Sequence, residues 1–173
     1  MLGNMTPIRD FVPSDLSALR QMMHGVIDAS YSGVYPERAV AFFKTFHSEE
    51  RILERSQKGE ILIIERNDGI AATGAIVNGE ASGVFVRLRD QGKGYGKAVM
   101  KELERRARGR GFTQVMLAVS LPSRGFYESL GYEIVRDVSL DVGEGQHLDY
   151  WEARKILAPN QSFHGSTQKS GAY

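Results

Sequence analysis

The stretch from Glu60 to Leu88 constrains this chain more than any other. EILIIER, IAATGAIV and EASGVFVRL are apolar or β-branched runs of strand length. Asn67-Asp68-Gly69 separates the first two runs and Asn78-Gly79 the second two, and both are tight-turn signals. The reading is three antiparallel strands joined by two hairpins.

Around this sheet the period is helical. TPIRDF, from Thr6, reads as a first strand, and PSDLSALRQMMHGVI as a helix with Ser14 at its N-cap and Leu16, Leu19, Met23, Val26 and Ile27 on one stripe. A second helix opens near Pro36 with Val40, Phe43 and Phe46 on one side, and EERILERSQ reads as a third. Beyond Arg110 come TQVMLAVS as a buried strand, SRGFYESL as a short helix, and YEIVRDVSLDV and LDYWEARKIL as two closing strands. The fold class is mixed α/β, with a hairpin run followed by one strand–helix–strand crossover. One domain is expected over residues 5–157, and the Ser-, Gly- and Gln-rich residues 158–173 are expected to be a disordered tail.

Composition excludes several function classes. Lys and Arg number 22 against 21 Asp and Glu, so the net charge of +1 makes no whole-molecule case for nucleic acid or an anionic membrane. The absence of cysteine excludes a disulfide framework, a thiolate nucleophile and Cys-based zinc sites. His24, His47, His147 and His164 lack metal-ligand spacing and read as ordinary surface or core residues, so no metal is expected. No run is apolar enough to span a bilayer and no signal peptide is evident, which together suggest a cytoplasmic protein.

QGKGYGKAVMKELERRARGRG, from Gln91 to Gly111, carries the chemistry. Val99, Met100, Leu103 and Ala107 make an apolar stripe, so a helix starts at Gly94 to Gly96, while Lys97, Lys101, Glu102, Arg105, Arg106 and Arg108 face water. The first turn of a helix leaves N–H groups without internal partners, and the macrodipole adds positive charge there. Glycines let an anion approach those donors, and a phosphate or diphosphate is the natural guest. Gly92-Lys93 is followed by Gly94 rather than Ser or Thr, which argues against a Walker loop. The G-x-G-x-G spacing after antiparallel hairpins also fits a dinucleotide fingerprint poorly.

At this point the chain resembles the Gcn5-related N-acetyltransferases (GNAT). Gln91-Gly92-Lys93-Gly94-Tyr95-Gly96 matches their diphosphate loop [Q/R]-x-x-G-x-[G/A], directly after a strand ending VFVRLRD. Phe126-Tyr127-Glu128-Ser129-Leu130-Gly131-Tyr132 matches their second signature. The resemblance implies a GNAT-like, mostly antiparallel twisted sheet flanked by helices, with splayed central strands. It also implies acetyl-CoA as acyl donor and transfer to a primary amine of a small molecule or peptide.

An amine of pKa about 10.4 is neutral in about one molecule in a thousand or fewer at pH 7, so the reaction needs a base or a desolvating pocket. By resemblance the base is Glu80, eleven positions before Gln91. A solvated strand-end charge is the alternative. Simple alternation places Glu80, Ser82, Val84 and Val86 on one face of their strand. The resemblance makes the Val84 N–H the oxyanion donor beside a bulge at Gly83, and has the Val86 backbone hold the pantetheine arm. Gln91, Gly92, Lys93, Gly94, Tyr95, Gly96 and Lys97 then hold the diphosphate. Tyr127 is the acid that protonates the departing thiolate.

Many members carry Asn where this chain has Ser120. Ser120, with Ser123, is therefore the candidate contact to the pantetheine arm, through a shorter side chain. Neither serine sits in a G-x-S-x-G elbow, so neither reads as a nucleophile. Tyr31 and Tyr35 are candidates for binding the acceptor, with packing of the lid as the other reading, and only one of Tyr150 and Trp151 can face the cleft. An acyl-CoA sensor without turnover and a macromolecular acceptor, such as a protein N-terminus or aminoacyl-tRNA, remain alternatives. Similar proteins often dimerise, which leaves a homodimer open.

Overall fold

The computed structural model describes residues 7–159. In chain order these form β1 (Arg9–Asp10), α1 (Leu16–Tyr31), α2 (Glu37–Phe46), α3 (Glu49–Lys58), β2 (Glu60–Arg66), β3 (Gly69–Val77), β4 (Glu80–Val86), α4 (Tyr95–Gly109), β5 (Gln114–Ser120), α5 (Arg124–Ser129), β6 (Glu133–Gly143) and β7 (Gln146–Ile156). The expected tail beyond residue 159 and Thr6 of the expected first strand lie outside the described residues.

One sheet runs through the molecule in the order β1-β2-β3-β4-β5-β7-β6. Every neighbouring pair is antiparallel except β4 and β5. The Asn78-Gly79 turn is the two-residue hairpin the sequence predicts. Both residues hold positive φ, 49° and 78°, as a primed turn requires.

Helices cover both faces of the sheet, which explains why the centre of EILIIER, residues 61–64, is continuously apolar rather than alternating. Leu62 and Ile64 pack with Val99, Met100 and Leu103 of α4, while Ile61 and Ile63 pack with Leu19, Met23 and Ile27 of α1 and Ile52 of α3. Two cores thus sandwich the sheet, and each buried Leu or Ile contributes roughly 1.5–3 kcal/mol of transfer free energy.

Three local readings change. Ser14 does not cap α1, because Asp15 organises that turn: it accepts from the Val12 N–H at 2.9 Å and pairs with Arg9 at 2.8 Å. Pro36 sits at the cap position in front of α2 with extended backbone, rather than inside its first turn. On α4, Arg106 does not simply face water, since it pairs with Glu102, Asp10 and Glu60.

The feature that positions a site is the single parallel pairing. β4 and β5 run side by side only at Glu80–Met116 and Ala81–Leu117. Beyond that point the two strands part, and the sheet opens into a gap.

Candidate active site

The wall of the gap on the β4 side is shaped by a bulge. Thr73 pairs with Phe85 and Ala75 with Ser82, so Gly83 and Val84 together oppose Gly74. Gly83 takes φ 59°, a left-handed conformation that side-chain-bearing residues rarely adopt. The extra residue shifts the strand's parity and corrects the simple alternation. Ala81, Val84 and Val86 pack toward α4, whereas Phe85 belongs to the α1–α3 core, on the side where Ser82 lies opposite the buried Ala75. Glu80 and Ser82 therefore do not share a face with Val84 and Val86.

Two cavities fill the gap. One, of about 290 Å³, is bounded by Glu80, Ser82 and Gly83 on β4, Ala118 on β5, Phe46 at the end of α2, and His47 just after it. The other, of about 530 Å³, runs along Val86, Gln91, Gly92, Gly94, Gly96 and Lys97. Tyr31, Val84, Phe85, Ser123 and Tyr127 line both, so the two spaces meet at these side chains.

The mouth of α4 is built from backbone. Gly92 and Gly94 hold φ 77° and 86°, and no side chain caps the helix. The first helical bond runs from the Ala98 N–H to the Gly94 carbonyl at 3.0 Å, so the N–H groups ahead of Ala98 have no helical partner. A Cβ at Gly96 would stand 3.1 Å from Phe126, which keeps that position bare. The Gln91 amide donates to the Val86 carbonyl at 3.1 Å and ties the loop to the end of β4.

Behind the loop, buried Asp90 receives Arg87 at 2.5 Å and Lys93 at 3.3 Å, and Arg87 also holds Asp68 at 2.9 Å. Burial pushes the Asp90 carboxyl upward, but the hydrogen bonds from Arg87 and Lys93 outweigh it and hold the group below the usual range. Lys93 therefore turns toward Asp90 and is not among the residues lining the cavity, whereas Tyr95 and Lys97 are.

At the junction the Tyr31 hydroxyl donates to Ser120 Oγ at 3.1 Å, and Ser120 Oγ lies 2.6 Å from Ser123 Oγ. Burial raises the Tyr31 phenol above its ordinary value. The Tyr127 ring is buried, and no hydrogen bond from a described residue engages its hydroxyl. Burial first, then the nearby Tyr31, raises its pKa strongly, so it is a protonated donor at neutral pH. Tyr35 lies elsewhere. Its hydroxyl donates to the Asp149 carbonyl at 2.9 Å and accepts from the Leu121 N–H at 2.8 Å, and it lines neither cavity. Tyr150 faces the cleft, and Trp151 turns away beneath the Arg124 guanidinium, 4.8 Å from its ring centre.

The sequence reads His47 only as an ordinary surface or core histidine, and the structure sets it on the inner cavity. The residue is buried and its ring stands edge-on to Phe85 at 5.0 Å and to Phe46 at 5.1 Å. Its Nδ1 has no partner among the described residues. Burial, then Arg55 and His24, pull its pKa down to about 3, so the ring is neutral. No spacing signals this role, because His47 reaches the cavity through the end of α2 rather than through a motif.

The profile of the acetyltransferase (GNAT) domain matches residues 27–143, more than half the chain. The chain belongs to the GNAT acetyltransferase family. A search of curated proteins finds no match. Solved structures similar to this GNAT chain include the GCN5-related N-acetyltransferase "Aminotransferase, Class-II" of Rhodopseudomonas palustris, with TM-score 0.80 and 17% identity over 91% of this chain and 99% of the other. PaiA N-acetyltransferase of Thermoplasma acidophilum, in complex with coenzyme A, has TM-score 0.69 and 19% identity over 87% and 98%. YncA of Salmonella typhimurium, with its cofactor acetyl-CoA, has TM-score 0.64 and 18% identity over 92% and 98%. At these identities the likeness is one of fold: a mostly antiparallel sheet flanked by helices.

Proposed function

We propose that this GNAT chain transfers the acetyl group of acetyl-CoA directly to a primary amine. The observation that carries the reading is the continuous gap between β4 and β5, which leads from the uncapped mouth of α4 past Tyr127 and Val84 to Glu80. The solved relatives holding coenzyme A or acetyl-CoA support the choice of donor. The residues present fit that donor, because a diphosphate needs N–H groups approachable from outside. A Cβ built at Gly92 or Gly94 would meet nothing within 4 Å, so the turn is open on that side.

When bound, acetyl-CoA supplies the acetyl group activated as a thioester. In the reading we favour, the N–H groups from Gly92 to Lys97 grip the diphosphate, and Gln91 braces their loop against β4. The Ser120–Ser123 pair and the Val86 backbone guide the pantetheine arm. Glu80 takes a proton from the incoming ammonium, and the Val84 N–H stabilises negative charge developing on the acetyl oxygen. As the new C–N bond forms and the C–S bond breaks, the Tyr127 hydroxyl gives its proton to the leaving sulfur and regains one from the nitrogen of the new amide, while the proton held by Glu80 passes to solvent. A thiol relay is excluded, since the chain has no cysteine.

Incubating the protein with acetyl-CoA and a panel of amines, polyamines, amino acids and peptides tests the proposal. Amine-dependent release of free thiol, with stoichiometric N-acetyl product, is expected. Tight coenzyme binding without turnover across the panel would instead make the protein an acyl-CoA sensor.

A further inference from the structure

The acceptor end of the gap holds a cation that the catalytic scheme leaves unused. Arg55, on α3, lies half-buried against α2: its Nη2 donates to the Phe46 carbonyl, and its guanidinium stacks over the Phe46 ring at 5.0 Å. Its Nη1 lies 3.4 Å from where a Cβ of Gly83 would be, next to the Val84 amide. No carboxylate among the described residues stands within ion-pair distance of it. Glu54, its neighbour on α3, is engaged by Arg51 at 3.0 Å and Lys58 at 2.5 Å. Burial, then Arg51, draws the Arg55 pKa down to about 10, so the group is still a cation at neutral pH but an incompletely compensated one. A groove containing Arg55 shares Phe46, Glu80 and Ser82 with the inner cavity. On the inner cavity Phe42 and Phe46 stack at 6.4 Å and stay 41% and 45% exposed.

We infer that the acceptor is a small amine that also bears a carboxylate, of the amino-acid type, its acid group held by Arg55 and its apolar body against Phe42 and Phe46. The guanidinium fork matches a carboxylate in a way that a neutral amide or a second amine does not. The placement supports the spacing. Glu80, which would meet the reacting nitrogen, and the Val84 amide, which would meet the acetyl oxygen, are on the same strand segment that Arg55 approaches at Gly83, so one short molecule spans both ends. Arg55 also balances the charge of an acid brought near Glu80. This inference rests on the transferase reading and narrows its acceptor.

The test compares each L-amino acid with its own carboxamide by thiol release from acetyl-CoA. A charge-assisted contact of this kind is worth about 10- to 100-fold. The best acid should therefore exceed its amide by that factor in kcat/KM, carried mostly by KM. In Arg55→Met the acid-to-amide ratio should fall toward one, and Arg55→Lys should restore part of it. Thermal melting shows whether each variant is folded, and the wild-type ratio needs no variant. Amides that react as fast as acids overturn the inference and leave the transferase reading standing, as does an acid preference that survives in a folded Arg55→Met. Absence of thiol release with acids and amides alike overturns the inference, and only absence across the whole amine panel overturns the transferase reading as well.

Discussion

The two ends of the gap are made in different ways. At the donor end, one contiguous turn from Gln91 to Lys97 presents backbone N–H groups, and the side chains mostly brace it from behind through Asp90 and Arg87. At the acceptor end, side chains converge from five elements: Phe42 and Phe46 of α2, Arg55 of α3, Glu80 of β4, Leu140 of β6 and Tyr150 of β7. A backbone site tolerates sequence change everywhere except at its glycines. A side-chain site is re-specified by single substitutions. The same fold can therefore keep one donor while changing acceptors.

The sharpest way to break this contrast is to put a charge into the turn. Gly94→Glu sets a carboxylate at the proposed diphosphate site and strains a residue at φ 86°. Like-charge juxtaposition costs several kcal/mol, so coenzyme A affinity should fall by about 100-fold or more. Calorimetry measures this, and an unchanged affinity would refute the backbone site. Next, on the proposed role of its hydroxyl as acid to the leaving sulfur, Tyr127→Phe should lower kcat about 100- to 1000-fold while leaving the KM for acetyl-CoA within about threefold. Somewhat smaller, Glu80→Gln should cost about 100-fold at pH 7 and recover toward wild type as pH approaches the amine pKa, where the acceptor loses its own proton. A pH-independent loss would remove Glu80 from the role of base.

A further comparison, in stability rather than rate or affinity, separates the ends by pH. His47 is held neutral with a pKa of about 3, whereas an unfolded chain protonates it near 6.5. Between those values the unfolded state binds more protons, so stability is complete above pH 6.5 and declines as pH falls toward 3. The slope is at most about 1.4 kcal/mol per pH unit. Asp90, held below the ordinary carboxylate range, acts only in stronger acid: its contribution is present above about pH 3.9 and lost as pH falls through its lower folded value. Denaturant unfolding at several pH values should show the first decline in wild type and its flattening in His47→Gln.

The donor end was legible because its information is local. Gln91 to Gly96 spells out a turn, the stripe from Val99 to Ala107 fixes the helix it opens, and Asn78-Gly79 sets the hairpin before it. Tyr127 was legible for the same reason, lying inside a continuous signature. The bulge expected at Gly83 is present, but simple alternation ignores it: the extra residue inverts the parity of Val84 and Val86, which therefore leave the face of Glu80 and Ser82. His47 and Arg55 were invisible for a different reason. Each comes beside Gly83 only after α2 and α3 fold across β4, a long-range placement that no spacing encodes.

The central claim is that main-chain donors at the mouth of α4 hold a diphosphate and thereby aim the rest of the donor along the open strand. Isothermal titration of the wild-type protein with coenzyme A and, separately, with pantetheine, which keeps the arm and lacks the diphosphate, tests it most directly. Saturable one-to-one binding of coenzyme A, with pantetheine weaker by about 100-fold or more, is the predicted result. Equal binding of the two, or no binding of coenzyme A by the folded protein, would contradict it.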